Sequence, residues 1–592
     1  MSADDSAESE IRSFLSEYCL DCHQGSNVSA GLDLSQTKYD LKDIELARRW
    51  ILVHDRLVNR EMPPADSPQP SAKSRERILK GLSSSIVQAE TQRKDVVLRR
   101  LNRVEYENTV RDLFGAHVEV KGILPEDTSW SGFDNVGEGL SVSAEAIQTY
   151  LKAADVTLDT VFGPEAEPKR IVHETNLLKQ LTYDGKPALE SKIGSMFRRT
   201  EEGLVIFQSN YCPTNLVNFA RLRAPAGTYR GTIRVRAIQS DRPVTLRIYG
   251  GDTIVGRREK HLVGYWDIPP DEWTTIEFTD RLVEEGGTYQ PKCYNTRDTR
   301  KDADTYPEPG LEIGDITIEG PLEPWPPASR TKLLEGIDPL QGTLEDAERI
   351  LKRVTPRAFR RELETAELRP YLQLVETALN EGRSFEESLQ IGLKAILCSP
   401  QFLFLTESGR ERLGEFELAS RLSYFLWSTM PDTELFELAR EKRLSDPRVL
   451  RAQTERMLDD PKAEQFTKNF AGQWLDLRDI DFTEPDANLF PEFDELLRLS
   501  MVQETELFFT HILAEDLSLM NFVDADFTFL NERLARHYGL PDVTGQEFQK
   551  VTLPPEHIRG GLLTQASLLK VTANGTNTSP VIRGNWVLEN IL

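Results

Sequence analysis

Apolar and polar residues change their rhythm twice along this chain. From residue 1 to about 92 apolar positions recur at helical spacing, and the stretch closes in the loop "NREMPPADSPQPSAKS" and a helix-like run from Arg75. "VVLRRLNRVEYENTVRDLFG" then places Leu98, Leu101, Tyr106, Val110 and Leu113 at mostly three- or four-residue steps, which predicts one amphipathic helix stopped by Gly115. From about 165 to 325 the period drops to two. "TYRGTIRVRAIQ", "VTLRIYGGD", "TTIEFTDRL" and "LEIGDITIEGPL" alternate, with Gly, Pro and Asp between them, the pattern of an antiparallel β-sandwich. After the Pro-rich hinge "PLEPWPPASR" the spacing is helical again, as in "LEDAERILKRVTPRAFRR" and "ELASRLSYFLWS".

These shifts predict a multidomain α+β chain: a small all-α domain at 1–92, a helical domain at 93–164, a β-sandwich at 165–326, and a large all-α C-terminal region at 327–410, 411–545 and 546–592. At 592 residues, several cores are expected rather than one. "RGNWVLENIL" stops without a cap, so the last domain is expected to be truncated; "MSADDSAESE" shows no export signal, so a removed signal or a true start farther upstream is expected.

Composition narrows the partners. The net charge of −25 disfavours nucleic acid, whose phosphates call for a basic surface. No apolar run reaches the ~18 residues of a membrane helix.

Cys19, Cys22 and His23 form C-x-x-C-H. That spacing reads as the anchor of one covalent c-type haem: two thiols a helical turn apart bond the vinyl groups, and the histidine is the proximal iron ligand. Structural zinc would need two more ligands nearby, and a thioredoxin-like dithiol a βαβ setting. The remaining three of five cysteines are Cys212, Cys293 and Cys398. Met62, 39 residues beyond His23 in "HDRLVNREMPPA", is the candidate distal ligand, stiffened by Pro63 and Pro64, with His54 as rival. Phe14, Leu15, Tyr18 and Leu32 are candidate walls, although ordinary core packing would look the same.

"CLDCHQGSNVSAGLDLS" followed by "DRLVNREMPP" resembles the planctomycete-type cytochrome c domain. "RRLNRVEYENTVRDLFG", "ELASRLSYFLWSTMPDTELFELA", "FTFLNERLARHYGL" and "RGGLLTQASLLKVTANGTNTSPVIRGNWVLENIL" are similar to helical domains of unknown function in the same large secreted proteins. The resemblance implies a haem c protein of the periplasm or cell surface. It carries over to Cys19, Cys22, His23 and Met62, and implies no chemistry for the helical domains. One-electron transfer to a redox partner protein follows as the expected function, serving an oxidoreductase activity on carbohydrate-derived substrates. A glycan-binding scaffold with an accessory haem is the alternative.

The β region resembles carbohydrate-binding modules. Tyr265, Trp266, Trp273 and Tyr294, in loop-like stretches, are candidate sugar platforms, against the plainer reading of core aromatics. Cys212 and Cys293 are candidate disulfide partners, closing a loop worth ~4 kcal/mol. Asn574, Thr576, Ser579 and Arg583 are candidate pocket residues, against a turn-rich connection held by side-chain to backbone bonds. "GFDNVGEG" is a weak calcium candidate without the spacing of an EF-hand loop.

Overall fold

The computed structural model of the protein describes residues 3–25, 32–35, 37–41, 43–92, 97–129, 132–136, 144–179, 186–187, 189–207, 216–251, 261–282, 287–294, 299, 301–407, 412–486, 488–490, 492–540, 542–554 and 557–592. The chain divides into two compact units, one made of Met1–Arg100 and Phe404–Leu418, the other of Leu101–Leu403 and Ala419–Leu592.

The first unit packs three helices, Ala3–Tyr18, Ile44–Val58 and Ala72–Gln92. Their apolar stripes meet in one core containing Phe14, Leu15, Leu34, Trp50, Leu57, Ile78 and Leu82. Trp50 is 1% exposed and satisfies its indole N–H on the Lys38 carbonyl at 2.9 Å. The unit is not all-helical: Val97–Arg100 pairs antiparallel with Phe404–Glu407.

That strand corrects the predicted helix through Leu98 and Leu101. The helix starts at Arg103, because Asn102 and Glu105 form a capping box. The Asn102 side chain accepts the Glu105 N–H at 2.8 Å, and the Glu105 carboxylate accepts the Asn102 N–H at 3.0 Å. A capping box sets where helical hydrogen bonding begins, so the apolar residues before it are free to pair as a strand. Gly115, at φ 66°, closes the helix in the left-handed conformation.

In the second unit the alternating region forms two antiparallel sheets. One orders Val217–Asn218, Thr288–Tyr294, Val244–Gly251 and His261–Ile268; the other orders Arg198–Arg199, Leu204–Ile206, Gly310–Gly320, Gly227–Ile238 and Thr274–Leu282, with Ile171–Asn176 also on Gly310–Gly320. Inward residues of both sheets, among them Leu246, Ile248, Ile233, Val235 and Ile313, share one core. Gly203 lies so close to the Ile313 carbonyl that a Cβ there would sit 2.0 Å from its oxygen.

The rest of the unit is mainly helical. The helices Leu344–Phe359, Thr365–Asn380 and Phe385–Leu397 each begin at a capping box. Farther on, Glu464–Trp474 and Glu495–Ala514 pack around Phe508, Phe509 and Phe527. An all-α C-terminal region is again too simple, since Phe527–Leu530 pairs antiparallel with Gln549–Thr552. Among the described residues no helix is long and apolar enough to cross a membrane.

Candidate functional site

The C-x-x-C-H motif begins where the helix Ala3–Tyr18 ends. Cys19 N–H still donates to the Leu15 carbonyl at 2.8 Å, and the Cys22 and His23 N–H groups both turn back onto the Cys19 carbonyl, at 3.3 and 3.0 Å. The three residues therefore occupy one helical turn. Cys22 is exposed, whereas Cys19 is half-buried against the core. Burial, with a smaller contribution from Cys22, pushes the Cys19 thiol up to about 11.

His23 Nδ1 lies 3.1 Å from the Leu32 carbonyl oxygen. A carbonyl only accepts, so Nδ1 carries the proton and Nε2 keeps its lone pair for a metal. The His23 carbonyl in turn accepts the Leu34 N–H at 2.8 Å, tying the histidine to the returning loop at two points. Phe14, Leu15, Tyr18 and Leu32 all belong to the core that holds Cys19, the first two buried and the others partly so.

Met62 lies in the loop after Ile44–Val58 and is 36% exposed. Its backbone is fixed on both sides: its N–H donates to the Arg56 carbonyl at 3.2 Å, and its carbonyl accepts from Arg75 Nη1 at 3.2 Å. Gln69 Nε2 donates to the Pro63 and Pro64 carbonyls at 3.1 and 2.7 Å. His54, the rival ligand, pairs instead with its neighbour Asp55 at 2.9 Å. These residues fit a haem c: two thiols in one turn, an imidazole with its distal nitrogen open, and a thioether on a braced loop. Among the described residues no three His, Cys, Asp or Glu side chains gather to hold an ion.

The aromatic candidates do not form one platform. Tyr265 and Trp266 lie in the strand His261–Ile268 rather than in a loop, so they point to opposite faces. Trp266 packs on the sandwich core, with its ring 6.2 Å from that of Phe278. Trp273, just before the strand Thr274–Leu282, is covered by the Arg234 and Arg236 guanidinium groups at 4.2 and 4.7 Å. Tyr294 ends the strand Thr288–Tyr294, and its side chain lies outside the described residues. So does Cys212. Its proposed partner Cys293 is buried, with Sγ 3.1 Å from the Ile206 carbonyl.

The C-terminal candidates use their polar groups within their own segment. Asn574 Oδ1 accepts the Thr576 and Asn577 N–H groups at 3.1 and 2.8 Å. Ser579 caps the helix Pro580–Asn590, and Arg583 donates to Thr572 Oγ1 and Thr578 Oγ1 at 3.1 and 3.0 Å. In "GFDNVGEG" both Asp134 carboxylate oxygens are taken, one by Asn102 Nδ2 at 3.0 Å and the other by Arg478 Nη1 at 2.6 Å. Among the described residues this leaves calcium no free carboxylate in the stretch; its second carboxylate, Glu138, lies outside the described residues.

A cluster that sequence reading missed surrounds Glu504, which is 1% exposed. Thr528 Oγ1 donates to one of its oxygens at 2.6 Å and Tyr538 OH to the other at 2.5 Å. The Arg559 guanidinium lies 3.7 Å over the Tyr538 ring. Burial drives the carboxyl up to about 7, against the two hydrogen bonds and the arginine charge. Its members come from positions far apart in the chain, so no local motif marks them.

Comparison with known proteins places most of the helical regions. Residues 99–163 match the family model PSD3 (DUF1587), 346–407 PSD5 (DUF1595), 413–540 PSD4 (DUF1592) and 559–592 PSCyt3 (DUF1588), each described as a protein of unknown function. These are planctomycete cytochrome c domain families. No curated protein matches the chain. Among solved structures, the EclA C-terminal domain, a sugar-binding protein, is 8% identical at a TM-score of 0.13, covering 26% of this chain and 81% of that one, a likeness too slight to carry an argument.

Proposed function

We propose that the chain is an extracytoplasmic multidomain c-type cytochrome that passes single electrons through one haem c. Cys19 and Cys22 would hold the haem as thioethers, His23 Nε2 would take the proximal position and Met62 the distal one. The observation that carries the reading is the His23 Nδ1–H bond to the Leu32 carbonyl at 3.1 Å, which leaves Nε2 as the ligand atom. The match of residues 559–592 to the cytochrome-named family PSCyt3 supports it from outside the motif.

Bound there, haem c would supply an iron that holds or gives up one electron. The chain's own residues do the rest. The Leu32 carbonyl fixes the imidazole tautomer and orientation. Phe14, Leu15, Tyr18 and Leu32, which pack with Cys19, would keep water from the haem, and Arg75 and Gln69 brace the loop carrying Met62. The chain's net charge of −25 favours a basic redox partner, with association that slows as salt rises. An oxidoreductase acting on carbohydrate-derived substrates is the reaction it would serve.

Production in a host with c-type maturation, followed by haem staining of the denatured polypeptide, tests the reading. Haem that stays with the unfolded wild-type chain and is lost from Cys19→Ala/Cys22→Ala is the expected result. A wild-type chain without covalent haem sinks it.

A further inference from the structure

The second unit carries a groove of about 660 Å³ beside the junction of the sandwich with the helices Glu464–Trp474 and Glu495–Ala514. Its size lies within the ~300–1,000 Å³ of small-molecule sites. The strand His261–Ile268 supplies Tyr265, the residue of the alternating pair that faces away from the sandwich core. Two residues on, Asp267 accepts the Gln546 N–H at 3.0 Å and the Thr245 hydroxyl at 2.8 Å, which locks this strand to the helical part.

The groove is close to electrical balance. Three carboxylates line it, Glu464, Asp481 and Glu506, and three cations, Lys468, Arg478 and Arg498. Each cation already has an acidic partner: Lys468 with Glu464 at 2.6 Å, Arg498 with Asp481 at 3.2 Å, and Arg478 with Asp134 at 2.6 Å. Glu506 is then the carboxylate left over, so the groove carries about one negative charge, in a chain of net charge −25, and repels anions. The partly exposed aliphatic side chains of Leu499, Val502 and Leu507 supply an apolar surface. Among the described residues, the side chains of Gln503 and Glu506 lining the groove make no hydrogen bond. An aromatic ring, an aliphatic surface, and an unused amide and carboxyl suit a ligand with apolar C–H faces and many hydroxyls.

We propose that this groove binds a neutral oligosaccharide, with its C–H faces against Tyr265 and the aliphatic surface and its hydroxyls on Gln503 and Glu506. The site lies at the junction of sandwich and helices, so neither element builds it alone. It is independent of the haem.

Calorimetric titration of the full chain with cellohexaose, xylohexaose and mannohexaose at millimolar concentration tests this, beside oligogalacturonate and chitosan oligomers as charged counterparts. At least one neutral hexaose is expected to bind more tightly than both charged probes. Tyr265→Ala should weaken that binding about fivefold. Gln503→Ala, at an exposed position, should weaken it without changing the melting profile, and Trp273→Ala should leave it unchanged. Failure of every neutral hexaose to bind overturns the proposal, as does tighter binding of a charged oligomer. Loss on Trp273→Ala with none on Tyr265→Ala or Gln503→Ala moves the site elsewhere and overturns it too.

Discussion

Replacing Glu504 by glutamine leaves the shape of this buried side chain almost unchanged and takes away its ability to ionise. In the folded chain the carboxyl holds its proton up to about pH 7, whereas the ordinary glutamate value is 4.5. Between those values unfolding releases a proton, so stability falls as pH rises, by ~1.4 kcal/mol per unit. Across the window the wild-type protein loses about 3 kcal/mol, none of it below pH ~4.5 and all of it above ~7. Glutamine escapes that loss, but its NH₂ brings two donors where the protonated carboxyl brings one, and leaving the second without a partner in this buried site costs ~1–2 kcal/mol. Glu504→Gln should therefore be the less stable protein near pH 5 and the more stable near pH 8, by ~1–2 kcal/mol each way. Native-state hydrogen exchange of the amides in Glu495–Ala514, corrected for intrinsic rates, reads this opening free energy locally. Curves for the two proteins that stay parallel from acid to mild base would refute the reasoning, because the buried carboxyl would then not be the proton-linked group.

Met62→Ala should keep the covalent haem and leave the iron open to carbon monoxide, with a lower reduction potential; an unchanged spectrum that ignores carbon monoxide assigns the distal position to another residue. In haem-free protein at pH 8, Cys19, raised to about 11, has a thiolate fraction of about a thousandth. It should react with iodoacetamide far more slowly than exposed Cys22, and equal labelling by mass spectrometry contradicts its burial. Gly203→Ala drives a Cβ into the Ile313 carbonyl, a backbone atom that cannot rotate away. It should cost ~2–3 kcal/mol and lower the melting transition; a melt equal to the wild type's would show that the two strands can spread.

The features legible in the chain itself were those written into neighbouring residues. Period-two alternation in "TYRGTIRVRAIQ" and "LEIGDITIEGPL" marked strands that pair in the sandwich, because one inward residue in two is a local rule. The spacing of Cys19, Cys22 and His23 set three functional groups in one turn, since a turn spans about four residues. Tertiary structure decided what local rules leave open. Val97–Arg100 reads as helix, yet it is a strand because Phe404–Glu407, some three hundred positions on, offers it a partner. Tyr265 and Trp266 look alike in sequence, but the pleat sends one to the groove and the other to the core. Glu504 reads as one more polar helical residue until Thr528, Tyr538 and Arg559 close over it. Periodicity records which way each side chain points along its own element; which residue it then meets depends on how distant faces pack, and that is settled only when the whole chain has folded.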